Sequence, residues 1–337
     1  VTTATQGTKT KTPELDLGRR RRAALTFISR YGTIIGLLAM ICFFAINAPG
    51  TFLSRANFLN ILSQASLTAI ISAGLTFTLV VGEFDLSIGN VASFIGLVVA
   101  GLMAKERLPI PVSVAGALLV GIFIGLVNGF LVTKVRINAV IATIGVGTML
   151  TGLGFSYSAF PIAIGIPRAF TEISLGRALF GVPNPVFIMA ALLIVMWTIL
   201  NKTDLGQRMQ AVGSNIEAAR LSGIRVDRTK MFAFATAGFC AALTGVLLTS
   251  LLGSGTLAAA DGYLLDAFAA VFLGSATLRE GQFHILGTLI GVLILAVGFN
   301  GLSIFGAPTY FQPIFKGGVL VLAVGLSSLA RRYASAS

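Results

Sequence analysis

Ten apolar stretches, each close to the length of a membrane-crossing helix, dominate this 337-residue sequence and leave room for little else. They run over 33–48, 66–81, 88–103, 112–132, 137–157, 186–200, 231–252, 264–278, 284–298 and 311–329. A spanning helix takes about 20 apolar residues, so ten would use roughly 60% of the chain, close to its 55% hydrophobic content. The remainder is too thin for a sizeable soluble domain. A secreted enzyme, a disordered scaffold and a single-pass receptor are thereby excluded, and the expected class is an all-α integral membrane protein. About ten transmembrane helices are predicted, several of them short or broken by glycine.

An even number of crossings puts both termini on one side, and the charges say which. The chain carries 24 Lys and Arg against 12 Asp and Glu, a net charge of +12. With the N-terminus inside, 18 of the 24 fall on inner segments, and five, Arg55, Lys105, Arg107, Arg168 and Arg177, fall outside. Lys316 lies within the last stretch. This asymmetry obeys the positive-inside rule, so both termini are expected in the cytoplasm. The excess charge is then a topology signal and not a mark of nucleic-acid binding. Residues 1–30 read as a basic cytoplasmic tail, 31–330 as the membrane domain and 331–337 as a short second tail. The basic start mimics a signal peptide, but no convincing small-residue cleavage site follows and more membrane does.

Two loops are long enough to do more than turn the chain. The outer one, 160–185, holds four prolines and reads as an extracytoplasmic cap. The inner one, 201–230, is charged and rich in helix formers. Cys42 and Cys240 sit alone in apolar runs, as small buried residues and not as a disulfide or metal site. Gly82, Leu86 and Gly89 share a Gly-x-x-x-Leu-x-x-Gly spacing with Gly274, Leu278 and Gly281, which suggests an internal repeat with broken helices at the transport path.

Within the inner loop, residues 206–224 read GQRMQAVGSNIEAARLSGI. Ser214 or Asn215 can cap a helix and Gly223 can end it, which predicts a surface helix of two or three turns, too short to be stable alone. Such a helix makes sense if a partner packs on it. Glu217-Ala218-Ala219 followed by Gly223 resembles the coupling-helix motif of ABC importer permeases, and the flanking residues resemble the ribose-type sugar branch. The resemblance extends in order to 82–89 (GEFDLSIG), Asn128-Gly129, 262–271 (GYLLDAFAAV) and 287–291 (GTLIG), covering about residues 50–325. The chain departs from the family at Glu83-Phe84 before Asp85, and at Asn138-Ala139, where a proline is common.

The resemblance implies a bacterial inner-membrane permease that works as a dimer, homomeric or with a close relative. Such a permease carries a monosaccharide or related polyol by alternating access and receives it from an extracytoplasmic binding protein. A separate ABC ATPase would use the ATP and Mg. It implies no catalytic residue, metal or cofactor in this chain, and no lysine follows a glycine, so no Gly-Lys-Ser/Thr phosphate loop can be written. Gly213, Asn215, Glu217, Ala218, Ala219, Arg220 and Gly223 would meet the ATPase, and Arg168, Glu172 and Arg177 the binding protein.

Glu83 and Asp85 are the acidic residues that stand out in the first half of the membrane region. Facing lipid at midplane they would cost roughly 5 to 7 kcal/mol together, so they are expected in an aqueous cavity or at an interface. Asp85 or Ser87 can instead cap the helix that begins at Ile88. Glu83, Asp85, Ser87, Asn128, Gln282 and Asn300, with Gln64, are the candidates to line or gate a sugar path; as helix–helix hydrogen bonds they would serve packing alone. His284, the lone histidine, reads as an interfacial residue, and Trp197 as an interfacial anchor. Two other classes compete with the importer. A proton-coupled transporter acting through Glu83 or Asp85 leaves the inner-loop helix unexplained, and an intramembrane hydrolase lacks partners for His284. Within the importer class, a branched-chain amino acid or another small polar metabolite is the alternative cargo.

Overall fold

The computed structural model describes residues 31–277 and 281–335, and among them regular structure is helical, with two isolated backbone bridges. The helices are α1 Tyr31–Asn47, α2 Pro49–Phe52, α3 Arg55–Val80, α4 Ile88–Ala104, α5 Ile110–Thr133, α6 Ala139–Tyr157 and α7 Arg168–Leu175. After a short turn follow α8 Asn184–Lys202, α9 Asp204–Ser214, α10 Ile216–Leu221, α11 Val226–Leu252, α12 Asp261–Ser275, α13 Ile285–Ile304 and α14 Phe311–Ser335. Each of the ten apolar stretches falls on its own helix. Among the described residues six, α3, α5, α6, α8, α11 and α13, are long and apolar enough to cross a membrane, and α1, α4 and the first part of α14 are shorter apolar helices. The basic tail 1–30, together with Leu278, Arg279 and Glu280, lies outside the described residues.

The core forms around α11, which packs on α3, α4 and α5. Lipid tails are as apolar as leucine, so helices in a membrane gain from close backbone approach, which small residues allow. On α5 the stripe Gly121, Gly125 and Gly129 meets Phe234, Gly238 and Met231 of α11, and a Cβ at Gly238 would sit 2.3 Å from the Gly121 carbonyl oxygen. A similar contact joins α12 to α13, where a Cβ on Gly291 would lie 2.0 Å from the Ala270 oxygen.

The bundle has two distinct ends. One holds the turn 82–87, α9, α10, the pair Lys134–Asp227 at 2.7 Å and the approach to α13. The other holds α7, whose Phe170 is fully buried and whose Ser174 Oγ donates to the Leu247 carbonyl at 2.8 Å. The central helix of the loop 160–185 thus docks on the tip of α11.

Several sequence expectations change. α3 starts at Arg55, well ahead of the apolar run that opens at 66, because Ser54 caps it by accepting from the Asn57 amide at 3.2 Å. The 331–337 tail is helical to Ser335, as a continuation of α14. Cys42 is exposed on α1, whereas Cys240 is buried on α11. The matched glycines sit in different settings: Gly82 leaves α3 at φ +82°, but Gly274 lies inside α12 against Gly287. Gly281, which precedes Gln282-Phe283 as Gly82 precedes Glu83-Phe84, has a positive φ of +73° as well.

Candidate functional site

At the end that holds the turn 82–87, α9 is anchored by Met209 and Val212, both fully buried. It crosses the end of α3 so closely that a Cβ on Gly213 would sit 1.9 Å from the Val80 carbonyl oxygen. Asn215 then ends α9 and starts α10, its Oδ1 accepting from the Ala218 amide at 3.0 Å. Gly223, at φ +79°, reverses the chain while the Ile224 amide donates back to the Ala219 carbonyl at 3.0 Å. Such a left-handed exit suits glycine. α10 is six residues long, shorter than the two or three turns expected. It presents Glu217, Ala218, Arg220 and Gly223 to the outside together with Leu221, which is 89% exposed. Ala219 points inward and is buried against the chain itself. Arg220 and Glu217 pair at 3.2 Å on the exposed face, an arrangement worth little in stability.

The turn between α3 and α4 gathers four of the sequence candidates. Glu83 forms an ion pair with Lys230 of α11, both side chains largely buried. Asp85 is buried, and its Oδ1 accepts from the Ser87 amide at 2.9 Å and the Ser87 hydroxyl at 2.6 Å. Asn128 of α5 donates to the Ser87 Oγ at 2.8 Å, and the Leu86 amide donates to Thr143 of α6 at 3.0 Å. Burial raises the Asp85 carboxyl above its ordinary range, and the two Ser87 bonds pull the other way. Neither capping candidate bonds an amide of α4: the Ser87 side chain makes no cap bond, and Asp85 reaches only Ser87, the residue that precedes the helix. Phe84 stacks on Phe268 of α12 with centroids 6.2 Å apart, and Phe268, Phe272 and Phe283 continue the contact to the next turn.

His284 is a cap and not a site. Its Nδ1 accepts from the Gly287 amide at 2.9 Å, so Nε2 carries the proton and donates to the Thr277 carbonyl at 2.8 Å. Asn300 and Asn57 exchange two amide bonds at 2.7 and 3.0 Å, joining α13 to α3. Gln282 is exposed.

A cavity of about 310 Å³ opens between α3, α11, α12 and α13. Its polar wall comprises Asn60, Ser63, Gln64 and Thr68 of α3 with Tyr263 and Asp266 of α12; Leu251, Val292, Leu295 and Phe299 are among its apolar residues. Asp266 is paired with Lys316 of α14 at 2.6 Å, and the ammonium also donates to the Gly262 carbonyl at 3.2 Å. Of the sequence candidates only Gln64 lines this space. Asp266 and Lys316 are not among the sequence candidates, although an acid in one apolar run and a lysine in another is the expected form of a buried pair. The α3 wall also had a signal, since Asn57, Asn60, Gln64 and Thr68 recur at helical spacing ahead of the apolar run.

At the opposite end Arg168, Glu172 and Arg177 are all exposed, on and just after α7. The Glu172 carbonyl accepts from the Gly176 amide at 2.9 Å and the Asn184 side chain at 3.1 Å, which closes the loop behind that helix.

Residues 57–324 match a family model described as branched-chain amino acid transport system / permease component. The chain is 37% identical over 320 residues to the ribose import permease protein RbsC of Haemophilus influenzae, covering 94% of this chain and 96% of that protein. It is 35% identical over 315 residues to the ribose import permease protein RbsC of Bacillus subtilis, with 93% and 97% covered. The xylose transport system permease protein XylH of Escherichia coli is 29% identical over 359 residues, with 89% and 91% covered.

Proposed function

This chain belongs to that permease family as a ribose-type ABC permease, a multi-pass membrane protein, and we propose that it is the membrane subunit of an importer for a monosaccharide or related polyol. In this reading all ten apolar helices cross a bacterial inner membrane, both termini lie in the cytoplasm, and two copies, or one copy and a close relative, enclose the path. A separate ATPase, with ATP and Mg, grips α10, and a sugar-binding protein delivers cargo at the α7 end near Arg168, Glu172 and Arg177.

The observation that carries this reading is the mounting of α10. A six-residue helix with a bare leucine has no stability of its own, yet it is capped at one end, reversed at the other and tied through α9 to the end of α3. Movement imposed on α10 reaches the turn at Glu83 by two contacts, Gly213 on Val80 and Lys230 on Glu83. That turn bears on α12 through Phe84. A proton-coupled mechanism would need Glu83 or Asp85 to load and release protons, whereas one is held by a lysine and the other by two Ser87 bonds.

The cargo is tested in proteoliposomes holding this chain with its ATPase and binding protein. Uptake of ribose or xylose is expected and uptake of leucine is not; the reverse preference would assign the chain to amino-acid transport.

A further inference from the structure

We infer that the cavity between α3, α11, α12 and α13 is a binding subsite for one neutral, polyhydroxylated ring on its way through the protein. This rests on the sugar-importer reading and adds a place and a set of residues to it. A sugar offers hydroxyls that both donate and accept, together with C–H faces that want an apolar surface. The cavity supplies both kinds of partner. Ser63, Gln64 and Tyr263 can donate or accept, Asn60 and Asp266 add carbonyl and carboxylate acceptors, and Phe299 provides an aromatic face. Its volume of about 310 Å³ lies at the lower end of the range for small-molecule sites, which suits a single ring and not an oligosaccharide.

Charge narrows the class further. Asp266 is neutralised within the protein by Lys316, so the cavity offers no spare counter-charge to the carboxylate or ammonium of an amino acid. Buried unpaired charges are costly, so a zwitterion is disfavoured and a neutral polyol is not. The position of Asp266 also matters. It lies less than one turn from Phe268, which stacks on Phe84 of the turn that α9 and Lys230 hold. The helix that touches the sugar is therefore the helix that receives the push from the coupling loop.

The test uses the full importer in proteoliposomes with Ser63→Cys in a Cys42→Ser background, since Cys240 is fully buried. A small hydrophilic methanethiosulfonate reagent should modify the new thiol, and ribose delivered during ATP turnover should slow that reaction at least threefold while leucine leaves it unchanged. No protection by ribose, equal protection by leucine or an unreactive thiol overturns the subsite. ATP-driven ribose uptake in the Cys42→Ser parent separates the two failures: uptake without protection removes the subsite alone, and absent uptake removes the importer reading. Should the cysteine variant fail to assemble, Asp266→Asn replaces it. Ribose uptake should then fall at least tenfold while ATP hydrolysis persists, and undiminished uptake overturns the subsite.

Discussion

Gly223→Asp is expected to abolish ATP-driven uptake while membrane insertion and dimerisation persist. Gly223 has a φ of +79°, a region that costs an L residue about 1–2 kcal/mol, although aspartate tolerates it better than most. No atom lies within 4 Å of a Cβ built there, so the substitution brings backbone strain without a packing clash at that atom. The damage is confined to α10. A carboxylate at its C-terminal end opposes the helix dipole and stands on the surface that the proposed coupling assigns to the ATPase. Uptake into vesicles, with size-exclusion profiles of the detergent-extracted protein as the control for assembly, checks this. Normal uptake would remove the coupling role from the loop.

The second large effect is on stability. Gly238→Leu places a side chain where a Cβ alone would sit 2.3 Å from the Gly121 carbonyl oxygen and 3.0 Å from Gly125. Those contacts are backbone, so the neighbour cannot rotate away and α5 must separate from α11. Overpacking costs typically about 1–3 kcal/mol, and this site belongs at the upper end because the central helix is the one displaced. The thermal midpoint in detergent should fall by several degrees, or the folded protein should be lost. Gly36→Leu on α1, where nothing lies within 4 Å, serves as the control and should leave the midpoint unchanged. Equal stability of the two variants would show that close approach at Gly238 is not what holds α5 to α11.

These two positions also show what a linear reading can and cannot reach. Gly223 was legible because a helix exit is a local event: a short amphiphilic segment with Asn215 before it and a glycine after it specifies its own ends. The ten apolar runs were legible for the same reason, each carrying its signal within some 20 residues. Gly238 was not, because its role depends on which of the many glycines in this chain face one another across the bundle. The same applies to the polar residues. Asp85, Ser87 and Asn128 read equally as path residues or as helix–helix hydrogen bonds, and the fold joins them in one hydrogen-bonded clamp whose third member comes from a different helix. Asn300 and Gln282 stand out in the sequence by polarity alone, which does not tell a residue that joins two helices from one that lines a space. The cavity lies along the part of α3 that precedes and opens its apolar run at 66. The first three turns of α3 are polar on one face and so carry no continuous apolar signal, yet Ser54 starts the helix there. Lys316 was counted as a charge inside an apolar run, and its partner Asp266 lies on a helix that only the fold brings beside it.

The central claim is that energy enters through α10 from ATP hydrolysis elsewhere. Its most direct test is ribose uptake by vesicles carrying the complete importer, measured with ATP inside and the proton gradient collapsed by an ionophore. Uptake that continues under those conditions, and stops when ATP is withdrawn, is the predicted result. Uptake that dies with the gradient and ignores ATP would contradict the account and return Glu83 and Asp85 to the role of proton carriers.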